Sequence, residues 1–190
     1  IEQVQSGFPV PTPRRIVVED WSEFVIVHSN FGSLTNRALA QFLGQVLSDK
    51  LGRGIVVQHD PYRIFVQTMG TMTAGRLVEV LKEIKDMDEQ TIRNTLTLST
   101  VKTGLFKRRV IQVARRFGAL KKWADFSNVS LQKLISSFEG SPIYEEGLKE
   151  VFSKDLDAEG LVMVLGRLRT GDVRLQVVET GGNPTPVARV

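Results

Sequence analysis

Two pairs of short β-branched runs, each followed by a stretch with an apolar helical face, set the strongest limit on the fold of this chain. The first pair occupies 15–18 and 24–27. A stretch with apolar residues at helical spacing then runs from Ser33 to about Lys50. We expect two strands and a helix with Ser33 as its N-cap, because a serine hydroxyl can accept a hydrogen bond from the first turn.

The second pair of runs surrounds a turn signal. The runs 55–57 and 64–66 flank the segment 59–62, whose proline fixes its own φ and biases the preceding residue away from helix. This pattern predicts a β-hairpin. A second helix is expected to start at Thr71 or Thr73.

From Asp88 onward the pattern is mainly helical. The expected helices open at Asp88, run from about Thr103 to Phe117, lie around Leu131–Phe138, run from Pro142 to about Phe152, and follow Asp157. The alternating run 173–178 predicts a returning strand. The expected fold is therefore α+β, with a small antiparallel or mixed sheet and two helices in the first half, a helical second half and a returning C-terminal strand.

A length of 190 residues is close to that of one domain, ~100–200 residues. We expect one domain over 14–179, preceded by an extended proline-rich connector over 1–13 and followed by an exposed tail over 180–190. Its predicted parts are a strand and helix part (14–86), a helical part (87–172) and the returning strand (173–179). The missing initiator methionine leads us to expect a piece excised from a longer polypeptide.

Composition excludes several classes of function. Zero cysteines exclude disulfides and thiolate metal sites, and two histidines exclude a histidine-rich metal site. The sequence contains no Gly-x-x-x-x-Gly-Lys-Ser/Thr loop, so a nucleotide-hydrolysing motor is not complete in this chain. No apolar run approaches the ~18–20 residues that cross a bilayer. We expect a cytoplasmic protein with no membrane partner and with no cofactor, metal or catalytic residue in this chain.

Basic residues are concentrated in one segment. Over 90–124 there are nine lysines and arginines and no acid, whereas the rest of the chain has 16 basic and 21 acidic residues. Such segregation favours contact with a polyanion. The alternative, a solvated helix face without a ligand, stays open.

Four arginines of this segment are predicted to share one helix surface. At ~100° per residue, one narrow arc forms a predicted core stripe of Phe106, Val110, Val113 and Phe117. Arg108 and Arg115 project from the opposite side, with Arg109 and Arg116 in a second row beside them. Guanidinium groups in such rows can bind phosphate oxygens bidentately.

Two lysines and a tryptophan follow this helix. The ring of Trp123 could stack on an unpaired base, which contributes ~1–3 kcal/mol when it occurs, or pack against the next helix. The predicted nucleic-acid-binding residues are Arg108, Arg109, Arg115, Arg116, Lys121, Lys122 and Trp123. Tyr62 and Arg63 on the hairpin turn could reach a ligand, although a tyrosine on a turn is usually only half-buried.

Three stretches, in order, resemble the large helicase-related (Lhr) family. They are 31–39, 60–64 and 106–118, the last ending in Val-Ala-Arg-Arg-Phe-Gly. The segments 154–157 and 183–188 also resemble that family, although Val187 follows Pro-Thr-Pro where the family tends to have Pro-Ser-Pro and an aromatic residue. From about residue 26 to the end, the chain is similar to the DEAD/H-associated region that follows the two motor domains and the winged helix.

This resemblance implies a superfamily 2 helicase as the parent protein, moving 3′ to 5′ on single strands in DNA repair or RNA metabolism. ATP and Mg would bind to its motor domains. The implied partners are single-stranded DNA or RNA and the RecA-like motor and winged-helix domains of the same polypeptide. The leading hypothesis is a non-catalytic accessory domain that contacts the backbone of the strand.

Two other functions are compatible with the sequence. In a protein-interaction module, the basic helix would meet acidic protein surface, and salt bridges to Glu145, Glu146 or Glu150 would favour such a structural role. A stand-alone hydrolase would use His28 or His59, and would need a cleft that joins a histidine to a carboxylate and a nucleophile.

Overall fold

The framework of the fold is a mixed sheet of five strands with helices packed against one face. The structure is a computed structural model, and it describes residues 2–68, 70, 72–121, 130–179 and 183–189. The strands are β1 (Arg15–Trp21), β2 (Phe24–His28), β3 (Val57–His59), β4 (Arg63–Gln67) and β5 (Arg174–Val178). The helices are α1 (Glu2–Gln5), α2 (Ser33–Leu51), α3 (Ala74–Ile84), α4 (Glu89–Thr100), α5 (Gly104–Arg116), α6 (Leu131–Ser136), α7 (Pro142–Glu150) and α8 (Ala158–Thr170), with a π-helical turn over Val151–Asp155. The predicted α+β fold is confirmed.

The sheet has the strand order β3-β4-β2-β1-β5. Neighbouring strands are antiparallel except β5, which returns parallel to β1 with Arg15 opposite Arg174 and Glu19 opposite Val178. Parallel neighbours need a long crossover, and the helical half of the chain supplies it. The predicted hairpin and returning strand are both present, but the first hairpin strand is 57–59 instead of 55–57. Val56 lies outside it with half of its side chain exposed.

Both faces of the central strands are buried. Ile16 and Val18 of β1 belong to the apolar core, which α2 and α3 cover. Val17 and Glu19 alternate onto the opposite face and are also buried. On that face the two ends of the chain cover the sheet, and Gln3 links them by accepting a hydrogen bond from the backbone N–H of Val187 at 3.1 Å.

Most predicted helix starts are confirmed by side-chain caps. Asp88, Thr103 and Asp157 each accept a hydrogen bond from a backbone N–H three residues later. The predicted cap at Ser33 is wrong. The N-cap of α2 is Gly32, which makes no side-chain cap and has φ of 86°, a conformation that a glycine adopts without strain.

Three other expectations need correction. Residues 1–13 are not extended throughout, because α1 forms at their start and Gln3 is buried. The described part of the predicted exposed tail, 183–189, includes the buried Thr185 and Ala188. Phe117 is 58% exposed instead of buried, because it lies at the C-cap of α5, beyond the turns that pack.

A buried carboxylate fastens the C-terminal segment to the sheet. Glu19 accepts hydrogen bonds from His28 Nε2 at 2.5 Å and from the backbone N–H and Oγ1 of Thr185, both at 2.8 Å. Burial disfavours the charged carboxylate, but these hydrogen bonds outweigh it and lower the pKa of Glu19 below its ordinary value of 4.5. The ionised Glu19 side chain therefore joins β1, β2 and the C-terminal segment.

We predict that Thr185→Val lowers the free energy of unfolding by about 1.5–3 kcal/mol, because it removes a buried hydrogen bond to a charged acceptor. Urea denaturation followed by circular dichroism measures the change. The control is Thr95→Val on α4, where the threonine side chain is half-buried. Equal stability of the Thr185 variant and the wild type would contradict the role given to this contact.

Candidate nucleic-acid interface

Close packing on α7 fixes the orientation of α5. Phe106 and Val110 are fully buried on the predicted core stripe. The ring of Phe106 meets that of Tyr144 edge to face, with centroids 5.0 Å apart. Gly147 permits the approach, because a Cβ atom there would lie 2.8 Å from Val110 Cγ2. This contact determines which arginines of α5 face protein and which face solvent.

Glu150, the last residue of α7, is the main partner of one row of arginines. Its side chain is 7% exposed and accepts hydrogen bonds from Arg116 at 2.5 Å and from Arg109 at 3.4 Å. Lys154 lies 3.4 Å away. The hydrogen bond from Arg116, with the nearby positive charges, holds the pKa of Glu150 below its usual value. We call Arg109 and Arg116 the paired row.

Arg109 makes a second ion pair, with Asp155 at 2.6 Å. The backbone carbonyl of Asp155 also accepts a hydrogen bond from Arg37 of α2. The paired row thus connects α5 to the π-helical turn and, through it, to α2. For Arg109 and Arg116 these contacts favour the structural role that the sequence left open.

Arg108 and Arg115 lie on the exposed side of α5. We call them the open row, a name that refers to solvent exposure alone, since Arg115 also interacts with another group of the chain. Lys121, after the helix, is also exposed, as is the ring of Phe117. Arg116 is itself 52% exposed, so the two rows differ in that Arg109 and Arg116 bind Glu150, while Arg108 and Arg115 lie on the solvent side of the helix. Lys122 and Trp123 lie outside the described residues.

Other cations of the basic segment also have partners within the chain. Arg93 pairs with Glu89 at 2.8 Å and with Glu159 at 2.7 Å. Lys102 donates to the side-chain carbonyl of Gln45 at 3.2 Å. Fewer basic residues of this segment are therefore available to a ligand than the nine counted in the sequence.

The two histidines lie in different surroundings. His28 is buried against Glu19, as described above. His59 lines a groove beside α2, where burial and the nearby charge of Arg37 lower its pKa. Among the described residues, no group of three or more His, Cys, Asp or Glu side chains could hold a metal ion. Within the described part of the chain, every helix is too short or too polar to span a lipid bilayer.

The sequence pattern predicted Glu150 as a possible partner of the basic helix, but nothing in it pointed to Asp155. The signal for Glu150 was its position on a neighbouring acidic helix. Asp155 had no comparable signal, because the π-helical turn that carries it past Arg109 is not encoded in a helical pattern. Helical periodicity also placed Phe117 in the core, since it does not show at which residue the packing of α5 against α7 ends.

Comparison with known proteins identifies related chains. The family model described as DEAD/H associated matches residues 10–188. The ATP-dependent helicase Lhr-Core of Methanothermobacter thermautotrophicus is 24% identical over 195 residues, which cover 94% of this chain and 22% of that protein. The solved structure of Mycobacterium smegmatis helicase Lhr bound to ssDNA and AMP-PNP matches 99% of this chain and 25% of its own, with 22% identity and a TM-score of 0.77. The chain therefore spans about a quarter of the length of these relatives.

We predict that Glu150→Gln destabilises the fold at neutral pH, because the paired row loses the charge that holds it. A carboxyl group whose pKa is lowered by folding stabilises the fold above its unfolded pKa, and this contribution is lost as pH falls through the folded value. The stability difference between wild type and variant should therefore shrink below about pH 4.5. Urea denaturation at pH 7, 5 and 3 measures it.

The matched control is Glu146→Gln on the same helix, where the side chain is 37% exposed and lies 3.9 Å from Lys149. This variant should change stability little at any of the three pH values. A Glu150 variant with the same stability and acid sensitivity as the control would contradict the assignment.

Proposed function

The chain belongs to the DEAD/H-associated family, and we propose that it serves as a non-catalytic accessory domain of an ATP-dependent 3′-5′ helicase of the Lhr family. The match over 10–188 and the helicase relatives support this proposal. In such a parent, ATP and Mg would be held by RecA-like motor domains. This domain would pack against the motor and winged-helix domains of a cytoplasmic protein active in DNA repair or RNA metabolism.

The single observation that carries a strand-binding role is the open row. Arg108 and Arg115 are seven residues apart on one helix, so their backbones are separated by about 10 Å along its axis. Both lie on the exposed side, so they can contact two different phosphates of a single strand of DNA or RNA. Lys121 extends the same positive segment beyond the helix. Contacts of this kind give affinity without sequence preference.

The paired row has a different function in this proposal. Releasing Arg109 or Arg116 to a phosphate would remove one of the three cations that surround Glu150, whose side chain is 7% exposed, and weaker pairing of a buried charge is costly. These arginines therefore hold α5 against α7 while the open row contacts the strand. The predicted contribution of Lys122 and Trp123 remains part of the proposal.

A protein-interaction module is the second candidate. The paired row favours it, because two arginines of α5 already bind carboxylates. In this case Arg108 and Arg115 would meet acidic groups of another domain. Exposed apolar side chains on α4 and α8, Leu98 and Met163, are consistent with such domain contacts.

We predict that Arg108→Gln combined with Arg115→Gln weakens binding of this chain to a fluorescein-labelled dT16 strand several-fold at 50 mM salt. The slope of log K against log [salt] is negative, and each lost phosphate contact reduces its magnitude by about 0.7 for a single strand, so the slope of the double variant should be less steep by about 1.4. Fluorescence anisotropy at several salt concentrations gives both quantities.

The control is Arg76→Gln combined with Arg169→Gln, which removes the same charge from exposed positions on α3 and α8. Its affinity should exceed that of the open-row variant and its salt slope should stay near the wild-type value. Equal losses in the two double variants, with both folded by circular dichroism, would mean that net charge and not the open row determines binding. No loss in either would favour the protein-interaction module.

A further inference from the structure

A cavity of about 460 Å³ opens where the hairpin turn meets both ends of the chain. Apolar groups of Val10, Pro11 and Val187 form much of its wall, and Tyr62 lies beside them. Its volume is within the range of small-molecule pockets, ~300–1,000 Å³. The paired and open rows of α5 do not line it, so it is a separate site.

Tyr62 presents an exposed ring on a rigid turn. Its side chain is 65% exposed. The turn below it is fixed by Asp60, whose Oδ1 accepts hydrogen bonds from the backbone N–H groups of Tyr62 and Arg63 at 2.8 and 2.7 Å. A large aromatic side chain on a fixed backbone is a suitable surface for stacking a planar ring.

Polar groups of the cavity suit the edge of a neutral ring better than a phosphate. Arg63 is held by Asp60 Oδ2 at 2.9 Å and by the carbonyl of Ala188 at 3.2 Å, so its charge is largely compensated. Asn30 donates from its amide to the carbonyl of Pro11 at 3.2 Å. Its side-chain oxygen is left as an acceptor for an N–H group of a ligand.

One buried polar atom without a partner belongs to a residue in the wall of this cavity. Within the described part of the chain, the buried side-chain atoms without a partner are His28 Nδ1, Ser29 Oγ, Asn36 Oδ1 and His59 Nδ1. His28 lines the cavity and is 1% exposed. Ser29 follows it, and Asn36 donates to the carbonyls of Ser29 and Asp60. Since buried polar groups are nearly always bonded, His28 Nδ1 is a second polar group, beside Asn30, that is available to a ligand in the cavity.

We propose that this cavity binds an unpaired nucleobase, stacked on Tyr62 and hydrogen-bonded through its edge to Asn30. The base can come from a single strand or from a free nucleoside, and the chemistry recognised is the same. Binding of a base that belongs to a strand rests on the proposed function above, whereas binding of a free nucleoside does not. Apolar walls with an aromatic ring and few polar groups bind a planar heteroaromatic ring better than a charged group.

The test compares wild type, Tyr62→Ala and Tyr62→Phe with two labelled strands, dT16 and the same strand with abasic sites. Tyr62→Ala should weaken binding of dT16 about fivefold or more, because stacking is lost. Tyr62→Phe should bind like wild type. The salt slope should stay unchanged, since no phosphate contact is removed. The abasic strand should bind equally to all three proteins.

A second arm uses thymidine as the probe and records ¹⁵N-¹H spectra of the wild-type chain. Shifts of the backbone signals of Asn30, Tyr62 and Arg63 would support the base site even if dT16 does not bind, and in that case only the strand-binding proposal fails. The inference is overturned if Tyr62→Ala binds dT16 like wild type and thymidine shifts none of these signals. It is also overturned if Tyr62→Ala weakens the two strands equally.

Discussion

Glu150 is the residue on which the arrangement of the basic helix depends. Its carboxylate is nearly buried at the end of α7 and receives hydrogen bonds from Arg109 and Arg116. Because α5 packs on α7 through Gly147, a rotation of the helix would separate these groups. The same contact leaves Arg108 and Arg115 on the outer side. Packing of α5 on α7 and the Glu150 carboxylate together determine which arginines of the basic helix hold the fold and which form the open row.

Attachment of the C-terminal segment to the second face of the sheet depends on another buried carboxylate. Ionised Glu19 binds His28 and Thr185, which joins the C-terminal segment to β1 and β2. The proline-containing N-terminal residues lie beside it, and the hairpin turn completes the edge of the cavity. Sequence-distant segments therefore meet at one corner.

Local chemistry explains which features the sequence could predict. The caps at Asp88, Thr103 and Asp157 and the hairpin around Pro61 depend on residues within one turn of each other. The exposure of Phe117 depends on where packing against α7 ends. Pairing of Arg109 with Asp155 brings together residues 46 positions apart. Helical periodicity places side chains around an axis, but it does not show which neighbour covers each side, so the two rows could be located but not distinguished.

An NMR titration that follows the arginine side-chain Nε–Hε signals, as a dT16 strand is added at low salt, shows whether the two rows have different roles. We predict that the signals of Arg108 and Arg115 shift with strand concentration, while those of Arg109 and Arg116 keep their positions because their carboxylate partners are retained. Shifts of the Arg109 and Arg116 signals equal to or larger than those of Arg108 and Arg115 would contradict this prediction.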